Sequence, residues 1–279
     1  MSAINVTTGE TMGIISTDIL SDADSPEGAI FGKLKVAPAY RAVFETIEKL
    51  IMSGKLKPGD TLPTETELAE RFNINRSTLR EGIRLLEQNG LVVRGAAKRL
   101  TISVPHIVDI ASRTSRALVL HDVTFRELWE TYMILEPALA NLAAENATEQ
   151  TIAELQDNLD QMIQSSDNPD RFFELDNQFH ALIAEAADNR PLLLAREPIS
   201  ILMMPAAHAI LPRLNTYDRV IQAHTHILDA IRAHDEQKAL EWMRKHTADF
   251  QRGYVSLGFA ADERLVDFGV QTDPQLMPE

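Results

Sequence analysis

TETELAERFNINRSTLREGIRLLEQNG, residues 64–90, decides how the front of this chain folds. Thr64, with Glu67 three residues on, is a capping box; it opens a helix with Leu68, Ala69 and Phe72 on its apolar face. Asn73 in the turn FNIN tolerates a left-handed backbone. Asn75 then caps a second helix, which turns Leu79, Ile83 and Leu86 inward and stops at Gly90. Arg76, Ser77, Thr78 and Arg80 crowd the start of that second helix. Positive charge there opposes the helix dipole, so stability alone would place acids at those positions. Two guanidinium forks and two small hydroxyls suit a helix end facing phosphates and base edges in a major groove. The plain alternative is a surface helix with stray arginines.

Working outward, Pro38 starts a helix with Tyr40, Val43, Phe44, Ile47, Leu50 and Ile51 at helical spacing, ending at Gly54. A loop, KLKPGDTLP, leads to the Thr64 cap. After Gly90 come two short β-prone segments, residues 91–94 and 99–104, around GAAK. They read as a hairpin with Arg94, Lys98 and Arg99 near its tip. Three helices and a basic two-stranded wing make a winged helix-turn-helix over residues 38–104. Residues 1–37 are polar, lack sustained periodicity and read as a disordered tail.

The charge distribution agrees with a nucleic-acid partner for that module. The net charge of −14 splits into −3 for residues 1–37, +3 for 38–104 and −14 for 105–279. The one stretch with a positive balance holds the recognition helix, as attraction to phosphate requires. With no cysteine there are neither disulfides nor thiolate metal sites. No apolar run reaches the roughly 18 residues that span a bilayer, and no signal pattern opens the chain. A soluble, cytoplasmic protein with no membrane partner is expected.

The stretches LKPGDTLPTETELAERF and INRSTLREGIRLLEQNGLV resemble the GntR family of bacterial transcription regulators. The resemblance covers residues 38–104 and implies that Arg76, Ser77, Thr78 and Arg80 contact operator DNA. Thr66 stands where the family usually has an arginine or another polar residue, and with Lys98 and Arg99 of the wing it completes the expected DNA-binding set. The usual wing glycine between the strands is replaced here by the GAAKR run.

Beyond Pro105 the pattern changes to Leu, Ile and Ala at three- and four-residue intervals. It predicts helices near 106–119, 124–146, 148–165, 169–188, 190–211, 216–234 and 235–256: a linker and linker helix over 105–122, then an all-α antiparallel bundle over 123–256. The whole is mainly α, with six to seven helices in the second domain and a frayed tail from 257 to 279. In FFELDNQFHALIAEAADN, Asp176 and His180 are four apart and share the face that carries Phe172, Phe179 and Ile183. His224 falls in line with Ile221, Ile227 and Leu228 and points inward; His226, rotated by about 200° from it, points outward. His246 joins the stripe of Ala239, Met243 and Phe250, and His234 sits at a helix-helix turn. Buried acids and imidazoles are costly unless paired or ligated. Asp176, His180, His224 and His246 thus form either a hydrogen-bonded network or a site for a divalent cation, and four inward groups at once favour the cation. Three imidazoles and a carboxylate suit zinc best, with nickel or manganese also compatible.

These residues carry a second resemblance, to the FCD ligand-binding domain of the FadR subfamily within the GntR regulators. LWETYMILEPALANLAA, Asp176-x3-His180 followed by Asn189, and His224 with His246 22 residues later are its motifs, over roughly 106–255. The resemblance implies that the four residues bind the metal and that a small carboxylate metabolite completes its coordination. Where the family commonly offers an arginine toward the effector this sequence has Tyr132, which makes Arg213 the candidate replacement charge. The seven-helix count points to the FadR branch. A ligand-responsive repressor or activator, dimeric on a palindrome, follows from the two resemblances. The competing class is a metal-dependent hydrolase with Glu136 or Glu174 as general base, which leaves the cationic recognition helix unexplained.

Overall fold

The computed structural model describes residues 38–95, 99–214, 216–258, 262 and 264. The chain divides after Ser103 into two compact units. The expected tails at 1–37 and 265–279 and the wing residue Lys98 lie outside the described residues.

The first unit comprises α1 (Ala39–Met52), α2 (Glu65–Arg71), α3 (Arg76–Gln88), β1 (Val92–Arg94) and β2 (Leu100–Ile102). Local chemistry sets each boundary. Thr64 and Glu67 exchange backbone and side-chain hydrogen bonds as a capping box, so α2 starts where its free N–H groups are satisfied. Asn73 has φ 51, the left-handed turn between α2 and α3. The Asn75 carboxamide oxygen accepts from Thr78 N at 2.8 Å and opens α3. Gly90, at φ 69, releases the chain into the hairpin. Leu79, Ile83 and Leu86 of α3 are fully buried against Val43 and Ile47 of α1, Leu68 of α2 and Val92, Leu100 and Ile102 of the wing. Each such side chain contributes about 1.5–3 kcal/mol by leaving water. The wing pairs antiparallel, with Val92 opposite Ile102 and Arg94 opposite Leu100. The segment expected as plain loop before α2 also joins β2: Leu62 N donates to Leu100 O at 2.8 Å and Ile102 N to Asp60 O at 2.9 Å.

Among the described residues, the second unit is a bundle of seven helices: α4 (Ile107–Leu120), α5 (Phe125–Asn146), α6 (Glu149–Gln164), α7 (Pro169–Ala186), α8 (Arg190–Leu214), α9 (Tyr217–Arg232) and α10 (Glu236–Ser256). Thr124, Thr148, Asn168 and Asp235 cap α5, α6, α7 and α10 through their side chains. The reversals use left-handed Asp122, Asp188 and His234. One core gathers Leu139, Leu155, Phe172, Phe179, Ile183, Ile227 and Met243. A second gathers Phe125, Trp129, Leu202 and Tyr254, with the Phe125 and Tyr254 rings stacked at 3.8 Å. The segment read as a linker helix is α4, packed along α8 inside this unit, because its Ala111 and Ser115 face is buried. The tail read as frayed is anchored at its described residues: Asp262 accepts from Arg126 at 2.6 and 3.1 Å, and Arg264 bridges Thr124 and pairs with Asp122.

Candidate metal centre and nucleic-acid interface

In the first unit Arg76, Ser77 and Arg80 of α3 are exposed and Thr78 is half-buried; Thr66 of α2 and Arg99 beside the wing are exposed as well. Ser77 Oγ donates to Asn75 Oδ1 at 2.8 Å, so this hydroxyl is engaged in the cap. Arg80 Nε lies 3.8 Å from Glu65 Oε2, a loose exposed pair that holds the guanidinium near α2 at little energetic gain. Arg94 behaves differently from the tip charge expected of it. It reaches Glu65 at 2.9 Å and Glu87 at 2.7 Å, and its charge ties the wing to α2 and α3.

In the second unit α7 carries Asp176 and His180, α9 carries His224 and α10 carries His246. One potential ligand atom from each lies within 4.8 Å of all the others. His246 Nε2 is 3.2 Å from both His180 Nε2 and His224 Nε2, and His224 Nε2 is 3.5 Å from Asp176 Oδ1. Around a tetrahedral zinc, with ligands at about 2.0–2.2 Å, neighbouring ligand atoms stand about 3.3–3.5 Å apart. Asp176 Oδ1 is buried without a hydrogen-bond partner, the kind of orphan that a cation satisfies. The donor set therefore fits a divalent metal. Burial, with the neighbouring imidazoles, pushes the His224 pKa well below the usual range, and burial beside His180 lowers His246 to about 3. Both are neutral near pH 7, the form that ligates. Burial pushes the Asp176 carboxyl up.

Two residues bind the site from behind: Glu136, which the sequence offered only as the general base of a hydrolase, and Arg196, which sequence reasoning did not place there. Glu136 of α5 is fully buried, with Oε2 at 2.8 Å from His180 Nδ1 and Oε1 accepting from Arg196 Nε of α8 at 2.8 Å. Burial alone would raise the Glu136 pKa, but Arg196 and His180 outweigh it and hold the carboxyl down at about 2. The signal was present: Glu136 interrupts the apolar run ILEPALANLAA and Arg196 lies amid PLLLAREPISIL, both on inward stripes. Glu136 is thus locked between two partners and does not line the cavity; Glu174 is exposed and paired with Arg171 at 3.0 Å. Neither is placed as the general base of a hydrolase.

A cavity of about 440 Å³ opens beside the cluster, lined by Tyr132, Asp176, His180 and His246 on one side. Met203, Leu214, Val220 and Phe250 give it apolar walls, and Arg219 and Arg252 also line it. Both guanidiniums engage Asp249, Arg219 at 2.6 Å. Arg213 is exposed on the last turn of α8 and is not among the residues that line the cavity, whereas Tyr132 is. Burial, then the Glu136 charge, raises the Tyr132 phenol well above its usual range, so it stays a neutral hydrogen-bonding group. His226 lies outside the cluster, stacked on Trp242 at 4.0 Å, and His234 Nδ1 bonds Ala144 O at 2.7 Å from the α9–α10 turn. Asn189 caps α8 by accepting from Leu192 N at 3.1 Å.

Comparison with known proteins places both halves. The family model for bacterial regulatory proteins of the gntR family matches residues 39–101, and that for the FCD domain matches residues 127–249. The chain is 30% identical over 222 residues to the HTH-type transcriptional repressor NanR of Salmonella newport (strain SL254), covering 77% of this chain and 85% of that protein. NanR of Salmonella typhimurium (strain LT2) is also 30% identical, with 77% and 84% covered. The solved structure of Streptococcus agalactiae GntR superposes with a TM-score of 0.54 at 21% identity, over 76% of this chain and 99% of that one, and shares the fold. Among the described residues, no helix is long and apolar enough to cross a membrane.

Proposed function

The chain belongs to the GntR family of bacterial regulatory proteins, with an FCD domain behind its winged helix-turn-helix, and on that premise we propose that it is a metal-dependent, ligand-responsive repressor. The repressor sense is supported by the function named for the two Salmonella relatives. Arg76, Ser77, Thr78 and Arg80 read operator DNA, with Thr66, Lys98 and Arg99 at its flanks. Two copies act as a homodimer on a palindrome, because one recognition helix reads few base pairs and two supply useful specificity.

The observation that carries the sensing half is the convergence of Asp176, His180, His224 and His246 within 4.8 Å beside a cavity of about 440 Å³. These four residues hold the ion, zinc in the first place, with nickel and manganese accepted by the same donors. The bound ion supplies a positive centre to which a carboxylate binds. Tyr132 then offers a neutral hydrogen bond, and Arg219 and Arg252 contribute the cationic wall that Arg213 was expected to give. The effector is a small organic acid. A coupling of about 1–3 kcal/mol between effector and operator binding switches occupancy several-fold or more.

His224→Ala and His246→Ala test this reading. Elemental analysis of protein purified without chelator is expected to find the ion in the wild type and none in either variant. The variants are also expected to keep operator binding while losing its response to effector. Wild-type protein that arrives metal-free and refuses zinc in dialysis sinks the metal centre.

A further inference from the structure

The two oxygens of Glu136 serve two different partners. Oε1 accepts from Arg196 Nε, and Oε2 faces His180 Nδ1, each at 2.8 Å, and all three side chains are almost wholly buried. A carboxylate opposite a guanidinium has no proton to give, so the hydrogen between Glu136 and His180 belongs to the imidazole. A neutral imidazole carries a single N–H; with the proton on Nδ1, its lone pair is on Nε2. That Nε2 stands 3.2 Å from His246 Nε2, among the converging ligand atoms. Tyr132 Oη, at 3.5 Å from the same Nδ1, is too far to compete. His224 offers a contrast. Its Nδ1 is buried without a hydrogen-bond partner, and its ring is held by stacking on Phe179 at 4.0 Å.

We propose that Glu136, itself held by Arg196, is a positioning residue that fixes the His180 tautomer, so that Nε2 presents its lone pair to the ion before the ion arrives. The inference rests on reading the cluster as a metal centre. His180 is then the pre-set ligand, while His224 has no partner on Nδ1, and its ring is placed by stacking on Phe179 and by its Nε2 contacts within the cluster. Outer partners of this kind govern metal affinity without touching the metal. Arg196 acts one step further back: it anchors the carboxylate from α8, and its Nη1 also donates to Glu197 Oε1 at 2.8 Å.

Glu136→Gln tests this with no change in shape. Arg196 can only donate, so it captures the glutamine carbonyl and turns the amide NH2 toward His180 Nδ1. Nδ1 must then accept, and the proton moves to Nε2, the ligand atom. In the metal-free full chain with 15N-labelled histidine, NMR is expected to find His180 as the Nδ1–H tautomer in the wild type and as Nε2–H in E136Q. Competition for zinc(II) against a chelator is expected to show a ten- to hundred-fold loss of affinity in E136Q. The same tautomer in both proteins, or equal zinc affinity, overturns the role of Glu136. Failure of the wild type to take up zinc overturns the metal reading instead. Should E136Q not fold, Glu136→Asp keeps the charge opposite Arg196 but withdraws it from His180. Mixed tautomers and weaker zinc binding are then expected, and wild-type behaviour in both measurements overturns the proposal.

Discussion

Arg76 and Arg80 are exposed at the start of α3, whereas Arg94 is tied to Glu65 and Glu87, so three arginines of one module face different tasks. Removing a guanidinium that reads a base edge costs about 1–3 kcal/mol of discrimination. Arg76→Ala and Arg80→Ala are therefore expected to weaken operator binding by about 5- to 150-fold while metal content stays unchanged. Fluorescence anisotropy with operator and scrambled duplexes measures this, and unaltered operator affinity in both variants removes α3 as the reading element. Arg94→Ala is expected to loosen the wing instead, lowering stability more than specificity. In the second unit the same logic separates groups by what they touch. His180 is held by an ionised carboxylate and the His224 ring stacks on an aromatic face, while Asp176 Oδ1 accepts no hydrogen bond and has only His224 Nε2 near it at 3.5 Å. Each was chosen in the sequence by the stripe it occupies. Which neighbour would hold it was not visible there, because those partners lie 44 residues away for His180 and 60 for Glu136.

Among the elements, α3 packs on α1 through a glycine. A Cβ at Gly82 would stand 2.7 Å from Val43 Cβ and 2.8 Å from the Tyr40 carbonyl oxygen, and the latter is backbone that cannot swing away. Gly82→Ala gains helix propensity of about 1 kcal/mol. It must also push α1 off α3, an overpacking cost of about 1–3 kcal/mol or more. The expected net result is a destabilised first unit, read as a lower denaturant midpoint for that unit; a midpoint equal to or above wild type refutes the close contact. Thr64→Ala, which breaks the α2 capping box, is expected to cost about 1 kcal/mol in the same titration. The reading of helices from periodicity and caps comes within a few residues of every observed boundary in the second unit. The 106–119 segment is α4 at Ile107–Leu120, and the 216–234 segment is α9 at Tyr217–Arg232. Caps and periodicity are local, so the sequence displays them directly. The packing of α4 on α8 is not local, and no short run of sequence displays it.

At the scale of the whole chain, charge and protonation differ sharply between the two units. The cluster in the second unit makes stability depend on pH when metal is absent. Unfolded histidines take up protons below about pH 6.5. Folded His224 and His246 resist protonation, His246 down to about pH 3, because burial beside other imidazoles disfavours the cation. Protons thus bind the unfolded chain preferentially in that window, and stability present above pH 6.5 falls as the pH drops, by up to about 1.4 kcal/mol per unit for each imidazole. Glu136, held at about 2, adds loss in the same direction at lower pH; Asp176, whose folded pKa is raised, opposes it. Urea midpoints in chelator are therefore expected to fall between pH 7 and pH 5, and a flat profile sinks the burial of neutral imidazoles. Zinc present at 100 times its dissociation constant is expected to raise stability by about 2.7 kcal/mol, provided it does not bind the unfolded chain. No rise in midpoint with zinc at pH 7 tells against the centre.

Composition, periodicity and capping by themselves determined the helical class, the wing, the two-part organisation and the inward stripe of each polar group, because those properties repeat within one or two turns of chain. Only the tertiary structure decided that Glu136 and Arg196 stand behind His180, and that Arg219 and Arg252 line the cavity where Arg213 does not. It also decided that Asp60 and Leu62 pair with β2. Those outcomes depend on which helix faces meet across dozens of residues, a matter settled by how whole side-chain volumes fit together rather than by any short run of sequence.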